Sequence, residues 1–338
     1  MKFSFVIPVY NAESYIGRCL DSILNQNIED YEIICINDGS KDGSLEVLKD
    51  YERRFPGKFN IISQENQGIG PARNNAFKAV KGDYTWFIDN DDCIQGNCLK
   101  ELAAAMDSTG ADILNITHVK GFFTENPLYA AFSAKLDFTK IDQEHALYFY
   151  SDAPWSKIYR TDFLKKNNLF FPNIFGEDTS TTFDLYSKTT EIYKTDVPLY
   201  AWFERHESFS HAVISKKHFE TFPVLLETLK NQSEKCDSRL KPYYENLMLR
   251  KADVYLPYFA SSKIDKELLP VREECLRKSN EILSTLPSNI LFDIYKSDFA
   301  EKEGAVEAAK AKLRSYYENS TSWKITKPLR AAMKIFRK

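Results

Sequence analysis

Short apolar runs alternate with amphipathic segments along the first hundred residues. The runs Phe3–Val9, Tyr31–Ile36 and Phe59–Ser63 are rich in β-branched and aromatic residues, which predicts buried strands. In Glu13–Gln26 and Leu45–Phe55, apolar residues recur at helical spacing, which predicts amphipathic helices. Strands and helices that alternate in this way predict an α/β fold whose central sheet is mainly parallel and flanked by helices on both faces.

A fourth apolar run, which begins at Tyr84, ends in the acidic segment Asp89-Asn90-Asp91-Asp92. Side chains two apart on an extended strand point the same way, so we expect Asp89 and Asp91 to converge. They would do so at the carboxyl end of the strand, where open α/β sheets bind ligands. Carboxylate oxygens suit Mg²⁺ or Mn²⁺, and an ion held here is well placed to grip a diphosphate. The alternative is an Asp/Asn-rich turn without a ligand.

Two other strand ends also carry polar residues. Asp38 follows the second run, at the position where nucleotide-binding sheets often place an acid for the ribose or base. After the third run, Gly68 and Gly70 precede a helix that contains Arg73, so backbone amides could face a phosphate; a flexible loop is the alternative. The glycine-rich fingerprint of dehydrogenases is missing after the first run, which argues against that class.

The pattern changes near residue 215. Apolar residues at helical spacing in Lys216–Asn231, Leu240–Phe259 and Asp265–Leu283 predict a helical region. Prolines are expected to break it at four positions, Pro242, Pro257, Pro270 and Pro287. We therefore predict a first domain over 1–215 that divides near residue 110, then a helical region over 216–319 and a tail over 320–338.

Composition narrows the class of protein. The chain is 43% hydrophobic and 28% charged with a net charge of -3, so the chain as a whole is not a nucleic-acid binder. No apolar stretch reaches transmembrane length, the apolar start is too short for a signal peptide, and six cysteines without paired spacing favour free thiols, so we expect a cytoplasmic protein. Trp323–Lys338 holds six basic residues and no acid, which predicts peripheral contact with an anionic membrane or, alternatively, an oligomer contact.

Four motifs occur in order along the first hundred residues. They are Val6-Ile7-Pro8-Val9-Tyr10-Asn11, Asn37-Asp38-Gly39-Ser40, Gly68-Ile69-Gly70-Pro71-Ala72-Arg73-Asn74 and Asp89-Asn90-Asp91-Asp92. Together they resemble family 2 glycosyltransferases of the GT-A fold, which is Rossmann-like and here would carry a helical C-terminal region. The resemblance implies that a nucleotide-sugar, usually a UDP-sugar, is bound by the residues Pro8, Tyr10, Glu13, Asp38, Arg73, Asp89 and Asn90. It also implies a Mn²⁺ or Mg²⁺ ion at Asp91.

The resemblance continues more loosely to about residue 210. Glu177-Asp178 matches the family's Glu-Asp motif, which implies that Asp178 is the catalytic base, and Glu177 lies beside it. A helix N-cap role for Asp178 is the alternative, and it is compatible with catalysis. Trp155 and Lys157 match a segment on the acceptor side of the site. The resemblance also places Arg205 near the donor diphosphate and makes His206 or His211 a candidate metal ligand. It makes 1–215 the catalytic domain, with a nucleotide-sugar half to about 110 and an acceptor half beyond it.

The resemblance therefore implies an inverting, metal-dependent transfer of a hexose or an N-acetylhexosamine to a glycan acceptor, in surface-polysaccharide synthesis of the capsule or O-antigen type. The acceptor could be lipid-linked, and the protein could be a homo-oligomer. Two alternatives stay open. A sugar nucleotidyltransferase would need a glycine-rich basic loop after the first strand, which the chain lacks. Loss of Asp91 or Asp178 would have supported a non-catalytic glycan- or nucleotide-binding scaffold, but both residues are present.

Overall fold

The computed structural model describes residues 2–26, 28–122, 136–204, 214–262 and 264–286. Within them, nine strands form one sheet. The strands are β1 (Phe3–Val9), β2 (Tyr31–Asp38), β3 (Phe59–Gln64), β4 (Tyr84–Phe87), β5 (Cys93–Ile94), β6 (Ile113–Phe122), β7 (Thr139–Ile141), β8 (Lys157–Arg160) and β9 (Ile192–Glu204). The helices are α1 (Ile16–Leu24), α2 (Ser44–Arg54), α3 (Ile69–Phe77), α4 (Leu99–Thr109), α5 (Gln143–Phe149), α6 (Thr161–Lys166), α7 (Glu177–Ser187), α8 (Lys216–Lys235), α9 (Lys241–Ser261) and α10 (Leu269–Leu283).

The sheet has a parallel half and a mixed half. Its strand order is β3-β2-β1-β4-β8-β6-β9-β5, with β7 added beside β9. The first four strands are parallel, as the alternation of apolar runs predicts. β8 then runs antiparallel to both β4 and β6, while β6 and β9 are parallel. Because β8 is reversed, its first residues lie beside the carboxyl end of β4.

The parallel half is buried as its sequence requires. Every residue of β1 is buried, and α1 covers it with the apolar face formed by Ile16, Cys19, Leu20 and Ile23. These four side chains have no solvent exposure, and they join the aromatic residues of β1 and β4 in one core cluster. This core cluster therefore supports the strands whose carboxyl ends carry the polar motifs.

The helices after residue 215 follow the predicted pattern with one correction. Pro257 was expected to break the second of them, but it lies inside α9. Pro270 lies in the first turn of α10, where proline is tolerated because the missing N–H has no intrahelical partner. The break at Pro287 lies outside the described residues. No helix among the described residues is long and apolar enough to cross a membrane.

The chain divides into two compact units, residues 1–247 and 248–338. α8 belongs to the first unit, where the side-chain amide of Gln232 donates to the Ser180 carbonyl of α7 at 3.0 Å. The predicted functional boundary near residue 215 stays a prediction.

Candidate active site

The carboxyl ends of β1 and β4 meet where the order of the parallel strands reverses. The chain leaves β1 toward β2 and β3 on one side and returns to β4 on the other, and such a switch point forms a crevice in open α/β sheets. Asn90 spans the crevice, because its side-chain amide donates to the Pro8 carbonyl at 2.7 Å. The structure thus brings the first and the fourth motif together at this edge.

The acidic segment after β4 is a turn and not a continuation of the strand. β4 ends at Phe87, and a hydrogen bond of 3.1 Å from the Asp92 amide to the Asp89 carbonyl closes the turn. The reason given above for convergence of Asp89 and Asp91, alternation along an extended strand, is therefore wrong. Both carboxylates nevertheless lie close enough that the Asp91 charge raises the pKa of Asp89, where burial is the main cause of the shift and Arg73 opposes it.

Arg73 joins two distant parts of the chain. Its guanidinium donates to Asp89 at 3.0 Å and to Glu177 at 2.9 Å, and its side chain is 3% exposed. Asp89 follows β4, whereas Glu177 begins α7, which is 104 residues further along the chain than Arg73. The planar guanidinium can hold both carboxylates at once because its N–H groups point in fixed, diverging directions. Arg73 therefore fixes the start of α7 against the crevice.

The Glu-Asp motif forms the first turn of α7. Gly176 precedes the helix with φ of 74°, a left-handed conformation that glycine adopts without strain. Asp178 lies inside the helix and is not its N-cap, so the capping alternative is wrong; its Oδ1 accepts the Thr179 amide at 2.8 Å. Burial and the charge of Asp178 raise the pKa of Glu177 to about 7 against the opposing effect of Arg73.

Asp38 binds the loop that precedes α3. Its carboxylate accepts the side-chain amide of Gln64 at 2.6 Å and the backbone amides of Gln67 and Gly68 at 2.9 and 2.8 Å. Asp38 is 3% exposed, so these three donors account for most of its hydrogen-bonding capacity. In this structure Asp38 positions the glycine motif, and a direct contact with a nucleotide stays a prediction.

Gly70 is required by close packing. A Cβ atom at this position would lie 2.6 Å from the Pro172 carbonyl oxygen, well inside van der Waals contact. Two reciprocal hydrogen bonds of 2.7 and 2.8 Å between Asn74 and the backbone of Phe171 hold the same segments together. The glycine motif thus packs α3 against the chain that leads into α7.

The other predicted donor-side residues lie at the end of β1 and on the loop after it. Tyr10 is 46% exposed, which leaves its ring available for a ligand. Glu13 is exposed and accepts the Gly43 amide at 2.8 Å, so it ties this loop to the start of α2. Pro8 is buried and contributes its carbonyl to Asn90.

Trp155 and Lys157 lie in the interior and not on an open acceptor wall. Trp155 is 8% exposed and stacks on Tyr200 at 4.6 Å between ring centroids. Lys157 has no solvent exposure. Its ammonium donates to the carbonyls of Ser151 and Ala153 at 2.6 and 3.0 Å, and to the Ser156 hydroxyl at 2.8 Å. Direct contact of these two side chains with an acceptor would require them to move.

Sequence reasoning missed two residues that hold the acidic turn. The Tyr200 hydroxyl donates to the buried Asp92 carboxylate at 2.8 Å and accepts the Asp89 amide at 3.2 Å. Arg18 of α1 donates to the Asp91 carbonyl at 2.7 Å, and its guanidinium lies over the Phe203 ring. No local spacing signals either residue, because both reach the turn from elsewhere in the fold.

Part of the predicted site lies outside the described residues, namely Arg205, His211 and the tail Trp323–Lys338. Among the residues that the structure describes, no group of three His, Cys, Asp or Glu side chains is placed to hold a metal ion. Within the acidic turn, Asp89 is engaged by Arg73, and Asp92 is buried and hydrogen-bonded. Asp91 is partly exposed, and its role as a metal ligand stays a prediction.

An open α/β sheet with an acidic turn at its switch point and a Glu-Asp helix start beside it defines a glycosyltransferase of the GT-A class. The sequence profile of glycosyl transferase family 2 matches residues 4–169. EpsH of Bacillus subtilis, a glycosyltransferase by name, is 32% identical over 236 residues, which cover 67% of each chain. The chain therefore belongs to glycosyl transferase family 2.

Other relatives are longer. The poly(ribitol-phosphate) beta-glucosyltransferase of Bacillus spizizenii is 34% identical over 207 residues, which cover 57% of this chain but 30% of that protein. The crystal structure of residues 1–349 of TarS from S. aureus in complex with UDP-GlcNAc matches with a TM-score of 0.67 and 23% identity, and covers 93% of this chain and 92% of that one. At this identity the match shows the fold, which confirms the predicted GT-A architecture.

Proposed function

We propose that the protein is an inverting, metal-dependent glycosyltransferase that moves a hexose or an N-acetylhexosamine from a UDP-sugar to a hydroxyl of a glycan acceptor. The observation that carries the proposal is the pair of ion pairs through which Arg73 holds the acidic turn at Asp89 next to the Glu177-Asp178 helix start. This arrangement puts a donor-side carboxylate and a candidate base on one crevice. The UDP-GlcNAc and UDP complexes of TarS, a fold relative, support the choice of donor.

The donor side would be formed by the β1 loop and the acidic turn. The exposed Tyr10 ring is suited to stack on the base, because aromatic faces pack against planar ligands. Glu13 and Asp38 accept hydrogen bonds from backbone amides of the neighbouring loops. Asn90 joins the ends of β1 and β4 through its hydrogen bond to Pro8. Asp89, held by Arg73 on one oxygen, would have its other oxygen for a ribose hydroxyl.

Asp91 would hold the divalent cation. Mg²⁺ commonly keeps several waters and is bound by one or two carboxylates together with substrate phosphates, so a single protein carboxylate fits such a site. When bound, the cation would offset the negative charge of the diphosphate. His211 and Arg205 stay predicted contributors to the metal and to the diphosphate.

The chemical step would use Asp178 as the base. Its carboxylate accepts the proton of the acceptor hydroxyl while that oxygen attacks the anomeric carbon from the face opposite the diphosphate. The bond between the anomeric carbon and the diphosphate oxygen breaks, UDP keeps the electron pair, and the configuration at carbon inverts. Glu177 would orient the first turn of α7 through Arg73.

The names of the relatives support the acceptor class. Poly(ribitol-phosphate) occurs in the names of the B. spizizenii enzyme and of TarS, so we propose a surface polysaccharide as the acceptor of this chain as well. Attachment of the acceptor to a lipid, membrane contact through Trp323–Lys338, a cytoplasmic location and a homo-oligomer stay predictions.

The test is UDP release from a panel of UDP-sugars, with Mn²⁺, Mg²⁺ or EDTA. We expect metal-dependent release from one donor, lost on Asp91→Asn but kept on Asp162→Asn, which alters an exposed acid in the first turn of α6. Absence of both release and metal-dependent UDP binding would overturn the UDP-sugar proposal. Release that survives EDTA and Asp91→Asn would overturn the metal dependence alone.

A further inference from the structure

The candidate base is held on a second side that the donor motifs do not reach. Asp178 lies in the first turn of α7, and Arg73 fixes the preceding Glu177 from the crevice side. The opposite side of the same turn contacts the loop 151–156, which joins α5 to β8. Asp152 of the loop accepts the hydroxyl of the buried Thr179, and the buried Lys157 holds the loop.

Lys157 holds the loop 151–156 through hydrogen bonds from its ammonium group. β8 runs antiparallel to β4, so Lys157, its first residue, lies at the same sheet edge as the acidic turn. The ammonium donates to two carbonyls and one hydroxyl of the residues just before it and so wraps the loop around itself. It also lies 5.6 Å from the centroid of the Tyr186 ring of α7.

Asp152 links this loop to α7 through two hydrogen bonds. Its carboxylate accepts the Thr179 hydroxyl, and its carbonyl accepts the Thr182 hydroxyl at 2.6 Å. The two threonines lie on one face of the helix, and both are buried. The Thr179 amide in turn donates to Asp178 Oδ1 at 2.8 Å, so one residue contacts both the loop and the candidate base.

We propose that Lys157, Asp152 and Thr179 form a clamp that positions the Asp178 carboxylate for the acceptor hydroxyl. The three are positioning residues, because they act through α7 and not on the substrate. The clamp rests on the proposed role of Asp178 as the base. Its second effect is electrostatic: the buried Lys157 interacts with the charges of the partly exposed Asp152 and Asp178 and, when it is protonated, favours the ionised carboxylate of Asp178.

The first test is Thr179→Val, which removes the hydroxyl at nearly constant shape. We expect kcat to fall about 10- to 100-fold with little change in the donor KM, because a small misplacement of a reacting group costs rate and not donor binding. Amide hydrogen exchange at residues 177–180 should accelerate in the same variant. Thr179→Ser keeps the hydroxyl and should restore both values.

The second test is the pH profile of Lys157→Met, with the Thr179 variants covering the case in which it does not fold. Burial lowers the pKa of Lys157 to about 7, so in the wild type the lysine is mostly charged on the acid limb. Without this charge the ionised Asp178 carboxylate loses a favourable interaction, so the acid limb should move to higher pH. Arg73, Glu177 and Asp89 also face Asp178 and are unchanged in the variant.

The outcomes separate the clamp from the proposed function. If Thr179→Val leaves kcat and hydrogen exchange unchanged while Asp178→Asn abolishes turnover, the clamp is wrong and the base stands. A Thr179→Ser variant as impaired as Thr179→Val would also overturn the clamp, as would an unshifted acid limb in Lys157→Met for its electrostatic part. If Asp178→Asn retains turnover, the proposed base fails whatever the clamp variants show.

Discussion

The two sides of the crevice are held by different kinds of contact. On the donor side, Asp38 and Asn90 bind backbone groups of neighbouring loops, so the position of each depends on the strand ends themselves. On the proposed acceptor side, side chains from other elements hold the first turn of α7: Arg73 donates to Glu177, and Asp152 accepts the Thr179 hydroxyl. The proposed donor side is therefore held through backbone groups near the strand ends, whereas the proposed acceptor side is held through pairs of side chains.

Asp178→Asn should have the largest effect and should separate the two sides. The amide keeps an oxygen for the Thr179 N–H but cannot take a proton, so we expect kcat to fall by about 10²- to 10⁴-fold. UDP affinity should stay within about twofold, because the donor side is untouched. Turnover assays and calorimetric titration with UDP measure the two effects, and Asp162→Asn is the control.

Arg73→Met should break the link between the two sides. It leaves the Asp89 and Glu177 carboxylates facing each other without a cation, which costs about 3–5 kcal/mol for a buried pair, toward the lower value because Asp89 is partly exposed. Urea unfolding measures the loss. Arg73→Lys keeps the charge but loses the forked geometry, so its unfolding free energy should lie between those of the wild type and Arg73→Met. Arg53→Met, at an exposed position, should change the unfolding free energy little. An unchanged unfolding free energy in Arg73→Met would refute the link.

Asp38→Asn should weaken the donor side alone. The new amide group would face one of the donors that the carboxylate now accepts, so a buried N–H loses its partner at a cost of about 1–3 kcal/mol. We expect a lower unfolding midpoint and weaker UDP binding. Hydrogen exchange should rise around Gln67 and Gly68 but not at the start of α7. Asp50→Asn, on the exposed face of α2, is the control, and protection lost equally at both places would contradict independent sides.

The same contrast explains how much the sequence predicts. The strand Phe3–Val9 was predictable because apolar runs are local signals. The turn after β4 was foreseen only as the alternative to an extended segment, because the sequence does not show where the strand ends. The antiparallel β8 and the interior position of Lys157 were not, because they depend on which distant strand pairs with β4. Pro257 failed as a helix break because the packed helix tolerates one missing hydrogen bond, a tertiary effect that propensity does not contain.

The resemblance singled out segments that the fold brings together at one crevice, but it did not predict the contacts of each side chain. It singled out Trp155 and Lys157, which the structure places in the interior, and it gave no signal for Tyr200 as the partner of Asp92 or for Arg18. Motif spacing indicates which segments of the chain come together at a site. Which atoms satisfy one another there depends on side-chain packing across the fold.

Tyr10→Ala should have the smallest effect, and it tests whether the exposed end of the proposed donor side contributes to UDP binding. The ring is 46% exposed, so its loss should change the unfolding free energy by less than about 0.5 kcal/mol, as at most surface positions. If it stacks on the base, its removal costs about 0.5–1.5 kcal/mol of UDP binding, which is roughly a 2- to 12-fold rise in Kd. Phe149→Ala removes a similarly exposed ring from α5 and should leave Kd unchanged. Equal UDP affinity in both variants would remove Tyr10 from the donor site, while a loss of stability in Tyr10→Ala would make it part of the framework that holds the β1 loop.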